Sequence, residues 1–258
     1  MSPPGVGSPE RVVLADAGAL HDAAAERIAL AAEVALAARD RFLLVLTGGG
    51  TVPPIYERLA RPPLAARIDW AATDVFFTDE RCVPPDHADS NFGMARRVLL
   101  DRVPIPCEQI HRMPGEDLNP ERAAVEHEHR IRRVLGLASG EPPRFDFALL
   151  GIGMDAHVAS LFPGHPLLPA FDRLVGAVHA NAFPVPSPSV DRLTLTPPAL
   201  NGAREAVFVV SGAKKEPSVT GVLGEPRDID RWPAQLVAPP EGIVAWLLDG
   251  AAAAGLAG

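Results

Sequence analysis

The chain has 258 residues (27.3 kDa), 47% apolar and 22% charged, a balance typical of a folded globular protein rather than a disordered one. Its formal net charge of −8 excludes the basic excess on which general binding to nucleic acid or anionic membranes relies, so an anionic ligand has to be met by a local cluster of positive groups. Two cysteines, Cys82 and Cys107, make neither a disulfide framework nor a metal cluster, and no apolar run reaches the roughly 18 residues of a membrane span.

The stretch Met1–Glu10 is rich in Pro, Gly and Ser and lacks the basic and apolar blocks of a signal peptide. A soluble, cytoplasmic protein is the expectation, with residues 1–10 as a flexible tail, 11–250 as a single domain and 251–258 as a short Ala/Gly tail. Arg11–Leu14 is a short apolar run, and Ala17–Arg39 has helical spacing of Ala, Leu and Ile. Phe42–Leu46 is a continuous apolar run that breaks into Thr47-Gly48-Gly49-Gly50-Thr51, with a helix expected from Pro53 to Ala60. Thr73–Phe77 reads as a strand ending in Thr78-Asp79-Glu80-Arg81, and Ser90 or Asn91 can cap a helix running to about Asp101.

Asn119-Pro120-Glu121 combines a cap, a first-turn proline and an acid, which predicts a helix to about Leu135. Phe145–Leu150 is a buried-type strand ending in Gly151-Ile152-Gly153-Met154-Asp155-Ala156-His157. The Pro-rich stretch Phe183–Ser189 reads as a loop, Leu193–Thr196 as a short strand and Thr196-Pro197 as the start of a short helix. Ala206–Val210 is a strand ending in Ser211-Gly212-Ala213-Lys214-Lys215, and Ile243–Leu248 is a strand or a short helix. Strands alternating with helices predict an α/β fold, an open, mostly parallel sheet with helices on both faces.

Four polar clusters follow four strands, at 47–51, 78–81, 151–157 and 211–215, and ligands in open α/β sheets bind at the carboxyl ends of strands. The glycine run can present successive N–H groups to a phosphate, or serve only as a tight strand–helix turn; neither the P-loop nor the dinucleotide spacing is present. Asp79-Glu80-Arg81 can offer a guanidinium to a phosphate with an acid orienting it, or be a surface ion pair. His157 can take a proton from water near neutral pH with Asp155 orienting it, or be a structural histidine; Asp-x-His alone is too few ligands for a metal. Lys214 and Lys215 are the only lysines beside 22 arginines, which points mildly to a need for a compact ammonium. Glu126-His127-Glu128-His129 lies in a predicted helix, where residues two apart diverge, and reads as a solvated face. Cys82 beside Arg81 reads as a packed residue.

Taken together these blocks resemble the 6-phosphogluconolactonases. The likeness is carried by Leu46-Thr47-Gly48-Gly49-Gly50-Thr51, by Thr78-Asp79-Glu80-Arg81-Cys82-Val83-Pro84-Pro85 with Asp89-Ser90-Asn91, and by Leu150–Gly164. Gly212-Ala213-Lys214-Lys215, Arg192-Leu193-Thr194-Leu195-Thr196 and Pro233-Ala234-Gln235 also fit. The resemblance implies hydrolysis of 6-phospho-D-glucono-1,5-lactone to 6-phosphogluconate in the oxidative pentose phosphate pathway. It also implies a Rossmann-like fold related to glucosamine-6-phosphate deaminase and no metal or organic cofactor. Arg81, Lys215 and the loop Gly48, Gly49, Gly50 and Thr51 are then expected to hold the phosphate, with Asp79 in the binding set and Arg192 a weaker candidate at the phosphate end. His157 is expected to activate water with Asp155 beside it. The partner is a small sugar phosphate, and the protein is expected to be a monomer or small homo-oligomer.

Three positions depart from the family pattern, the mildest being Thr47, which keeps a hydroxyl where serine is frequent. Ala156 stands where glycine is usual, which costs about 1 kcal/mol or more if φ there is positive. Gly50 stands where serine is frequent, which removes a hydroxyl. Two rival readings share these residues. In an amino-sugar-phosphate isomerase/deaminase Asp79 would shuttle the proton, although an aromatic residue is expected there where this chain has Arg81. A non-catalytic sugar-phosphate-binding module would have no need of His157.

Overall fold

A strand covered on both faces has no solvent side to mark with polar residues, and the continuous apolar runs of this chain form parallel strands of that kind. The computed structural model describes residues 9–256. Its first half comprises β1 (Glu10–Leu14), α1 (Ala17–Arg39), β2 (Phe42–Leu46), α2 (Pro53–Leu59), β3 (Thr73–Phe77), β4 (Asp79–Arg81), α3 (Asn91–Val98) and α4 (Pro120–Leu135). Then follow β5 (Phe147–Leu150), β6 (Val175–Val178), β7 (Arg192–Leu195), α5 (Pro197–Leu200), β8 (Glu205–Val210), α6 (Glu216–Gly224) and β9 (Ile243–Asp249). Six strands make one parallel sheet in the order β1-β9-β8-β5-β2-β3.

Alternation along each strand sends successive side chains to two separate cores. Leu44, Leu46, Val75, Phe77, Leu149 and Val209 face one core with α1, α2 and α3. Val45, Phe76, Ala148, Leu150, Phe208 and Trp246 face the other, with α4, α5 and α6. The buried stripe of α1 is Leu20, Ala24, Ala25, Ile28, Ala29, Ala32 and Ala35, so small side chains let the helix lie close to the sheet. Asp16 caps it by accepting from Ala19 N at 2.8 Å.

From β2 the chain moves outward to β3; from β5 it moves the other way, to β8 and β9. The switch point therefore lies between the carboxyl ends of β2 and β5, where the glycine loop and the His157 loop both emerge. A second, antiparallel sheet of order β4-β7-β6 stands beside this end. Thr78 joins the two sheets: its N–H donates to Leu46 O at 2.8 Å and its carbonyl accepts from Leu195 N at 2.7 Å.

Several boundaries shift from the sequence expectations. The 1–10 tail lies mostly outside the described residues, but β1 already starts at Glu10. The helix expected to reach Asp101 ends at Val98, where Leu99 leaves helical geometry. Ile243 starts a strand, not a helix. The residues after Asp249, read as a tail, turn back onto the body: Asp249 accepts from Ala252 N at 2.8 Å, Ala252 is fully buried and Leu256 packs on the core. Asp79–Arg81, expected to be a loop, is itself a strand because β7 offers it a ladder.

Candidate active site

All four polar clusters line one cavity of about 450 Å³, within the range of roughly 300–1,000 Å³ usual for small-molecule sites. Gly48, Gly49, Gly50 and Thr51 form one rim, Asp79 and Arg81 a second, Asp155 and His157 a third, and Lys215 closes the fourth side. Only two glycines of the first loop are demanded by geometry. A Cβ on Gly48 would lie 1.9 Å from Asn91 Oδ1, and Gly49 has φ +104°. Gly50 has open space around it.

The His157 loop is built around its own glycine. His157 Nδ1 lies 2.5 Å from Asp155 Oδ1, which also accepts from His157 N at 3.3 Å. A carboxylate at Nδ1 holds the proton there and leaves Nε2 as the basic nitrogen. Burial pushes the Asp155 carboxyl up, but the hydrogen bond and charge of His157 and two backbone N–H groups outweigh it and hold Asp155 below the ordinary carboxylate range. The pair sits over Gly153, where a Cβ would meet Nδ1 at 2.1 Å. Ala156 does have a positive φ, +65°, and Ala159 follows at +51°. The Ala156 methyl is fully buried in the core, a contact that a glycine would not make.

The two acids of Asp79-Glu80-Arg81 part company because a strand alternates. Glu80 turns to the N-terminus of α3 and accepts from Ser90 Oγ (2.9 Å), Asn91 N (2.8 Å), Phe92 N (2.8 Å) and its neighbour Arg81 N (2.7 Å). That is a helix cap. Asp79 faces the cavity floor, where its Oδ1 accepts from Thr78 Oγ1 at 2.8 Å and its Oδ2 from Ser160 Oγ at 2.8 Å. Thr78 Oγ1 is also 2.9 Å from Thr47 Oγ1, so one buried hydrogen-bonded chain joins the glycine loop to the His157 loop.

The positive groups of the cavity lack carboxylate partners. Arg81 donates to Asp89 O at 2.7 Å while its buried Nε has no acceptor. Lys215 donates to Ile152 O at 2.7 Å, which ties the loop after β8 to the loop after β5. Burial pulls the Lys215 ammonium below its ordinary pKa, opposed by Asp155. Among the described residues neither Arg81 nor Lys215 forms a salt bridge, although arginines elsewhere in the fold commonly do. Arg192 is not on the cavity wall: its guanidinium is held by the carbonyls of Pro186, Pro188 and Val190. Lys214, the other lysine, is exposed.

Sequence reasoning gave no site role to two wall residues and to one buried residue beneath them. Asn91, considered only as a cap or as part of a polar loop, lines the cavity and donates to Asp79 O at 3.0 Å. Ser160 supports the floor and Pro186 faces the cavity. The first is legible in the polar Asp89-Ser90-Asn91 run and Ser160 falls in the family-like Leu150–Gly164 block, while Pro186 carries no signal apart from the fold. His127 is buried inside α4 and Cys82 is half-buried, its thiol pushed up to about 12 chiefly by burial, so it is not a nucleophile.

Comparison with known proteins identifies the family. The sequence profile described as glucosamine-6-phosphate isomerases/6-phosphogluconolactonase matches residues 15–246. A 6-phosphogluconolactonase of Nostoc sp. is 42% identical over 84% of this chain and 85% of its own length. The 6-phosphogluconolactonase of Homo sapiens is 39% identical over 84% of this chain and 81% of its own. The solved 6-phosphogluconolactonase from Trypanosoma brucei superposes with a TM-score of 0.84 at 31% identity, covering 96% of this chain and 99% of that one. A monomeric glucosamine-6-phosphate deaminase shares the fold, with a TM-score of 0.78 at 19% identity over 95% of this chain and 99% of that one. The chain belongs to the 6-phosphogluconolactonases, within the glucosamine-6-phosphate isomerase/6-phosphogluconolactonase family.

Proposed function

We propose that this chain hydrolyses 6-phospho-D-glucono-1,5-lactone to 6-phospho-D-gluconate, with His157 as general base and Arg81, Lys215 and the glycine loop as the phosphate grip. The observation that carries this reading is a single cavity lined both by a carboxylate-oriented imidazole and by two basic side chains without carboxylate partners. Nε2 of His157 removes a proton from water as the water oxygen attacks the lactone C1. Backbone N–H groups of the glycine-rich loops stabilise the oxyanion. When the C1–ring oxygen bond breaks, the imidazolium returns its proton to that oxygen, which becomes the C5 hydroxyl. Holding the remote phosphate positions C1 against the water, so binding energy away from the reacting bond lowers the barrier.

Arg81 in place of an aromatic residue, and Asp79 held by two hydroxyl donors as an acceptor, favour this over deamination of an amino-sugar phosphate. The test compares hydrolysis of freshly made phosphorylated and unphosphorylated lactone. Charge-assisted contacts contribute about 1.5–3 kcal/mol each, so loss of the phosphate from two such contacts should lower kcat/KM by roughly 10²–10⁴-fold. His157→Ala should cut kcat by about 10²–10⁴-fold with little change in KM, whereas Arg81→Ala should mainly raise KM. Full turnover in the His157→Ala enzyme, or ammonia release from glucosamine 6-phosphate in place of lactone hydrolysis, would refute the assignment.

A further inference from the structure

Arg192 is almost completely buried, at 3% exposure, and among the described residues no carboxylate lies within salt-bridge distance of it. It is also the direct register partner of Arg81 across β4 and β7, a like-charge pairing that destabilises a sheet. A buried guanidinium in such a position needs acceptors, and it has three, all carbonyls of the connection between β6 and β7: Pro188 O at 2.7 Å, Pro186 O at 2.9 Å and Val190 O at 3.2 Å.

The connection it holds, residues 179–191, touches the site in two ways. Pro186 lines the cavity. The Phe183 ring stacks on Phe162 (centroids 6.3 Å apart, 22° between planes), and Phe162 meets the His157 imidazole edge-on at 4.8 Å. His165 packs edge-on against Phe183, with ring centroids 4.7 Å apart. An aromatic relay therefore runs from the segment to the ring that carries Nε2.

We propose that Arg192 is a positioning residue, which by gripping Pro186, Pro188 and Val190 fixes residues 179–191 as a wall of the substrate cavity and, through Phe183 and Phe162, steadies the His157 ring. This rests on the hydrolysis assigned above, but its structural half is measured independently of turnover. Two separate nitrogens hold the three carbonyls, Nε on Val190 O and Nη2 on Pro186 O and Pro188 O, and one ammonium nitrogen cannot stand at both places, so Arg192→Lys keeps the charge and loosens the grip, while Arg192→Met loses both.

The experiment measures lactone kinetics, amide hydrogen exchange and thermal midpoint for wild type, Arg192→Lys, Arg192→Met and Phe183→Ala. Both Arg192 variants should lower kcat tenfold or more with KM changed less than threefold. Both should speed exchange at the hydrogen-bonded Ala182, Phe183 and Val190 amides at least tenfold while β8 exchanges as in wild type. Phe183→Ala should lower kcat severalfold with the Arg192 grip intact. Arg192→Lys behaving as wild type while Arg192→Met raises KM would make Arg192 an electrostatic contributor and overturn the proposal, as would unchanged exchange in the segment. If the Arg192 variants do not fold, Phe183→Ala with wild-type kcat overturns the relay. Absence of lactone turnover in the wild type would strike the assigned reaction, while the exchange rates would still decide whether Arg192 holds the segment.

Discussion

At Gly153 the Cα faces the Asp155–His157 pair, and an added methyl would lie 2.1 Å from one partner and 2.3 Å from the other. Gly153→Ala should therefore displace the imidazole by a fraction of an ångström to an ångström and lower kcat by about 10²-fold, since misplacement on that scale costs this much. Its thermal midpoint should move far less, and kinetics beside a melting curve checks both. Ala156 presents the opposite case. Its left-handed φ costs about 1–2 kcal/mol, yet Ala156→Gly gives up a buried methyl, about 0.8 kcal/mol, and gains unfolded-chain freedom of about 0.5–1 kcal/mol. The terms nearly cancel, so denaturant unfolding should place the Ala156→Gly variant within about 1 kcal/mol of wild type. The dyad was legible because Asp-x-His is local in sequence. The role of Gly153 was not, since it depends on how the loop folds over its own backbone.

Among the elements, the loops after β5 and β8 are joined by one donor, Lys215 Nζ to Ile152 O. Burial lowers the lysine's pKa from 10.5, so the free protein loses this charge at a lower pH than an exposed lysine does. Anion binding requires the charged form; affinity for 6-phosphogluconate should accordingly fall as pH rises through that lowered pKa. Calorimetric titration between pH 7 and 10 should show Kd climbing in wild type and flat in Lys215→Arg, which stays protonated throughout. The parallel strands were readable as apolar runs ending in polar clusters, and the convergence of those clusters follows from the parallel connection rule. The second sheet was not readable: Val175–Val178 is a four-residue run with a glycine, and Asp79–Arg81 carries three charges. Both are strands only because β7 supplies the ladder between them. Likewise α6 contains two glycines and three β-branched residues, weak helix formers that the core on one side of the sheet overrides.

For the molecule as a whole, the histidine-bearing stretch of α4 matters through folding rather than chemistry. His127 was read as part of a solvated face, but α4 lies against β6 and β7 and turns it inward, with Nε2 unpartnered among the described residues. Burial, helped by the positive charge of Arg130, His111 and Arg112, drives its pKa down to about 3. The native state thus keeps it neutral between pH 6.5 and 3 while the unfolded chain takes up a proton. Its contribution is fully present above pH 6.5 and is lost as pH falls, at about 1.4 kcal/mol per pH unit. His127→Leu should leave stability at pH 7 unchanged or higher and flatten the decline between pH 6.5 and 4 by about that slope, as urea unfolding at a series of pH values will show.

The β6–β7 connection begins and ends at one knot: Asp191 accepts from Ala180 N at 2.9 Å and meets His179 Nδ1 at 3.1 Å, while His179 Nε2 reaches Glu121 on α4 at 3.1 Å. Because entry and exit are stapled together there, the stretch between them can change length wherever the Arg192 contacts and the Phe183 ring are kept. Swapping in segments of other lengths from homologues should redraw the mouth of the cavity without disturbing the parallel sheet, which makes this hairpin the natural graft point for altering which lactones the scaffold accepts.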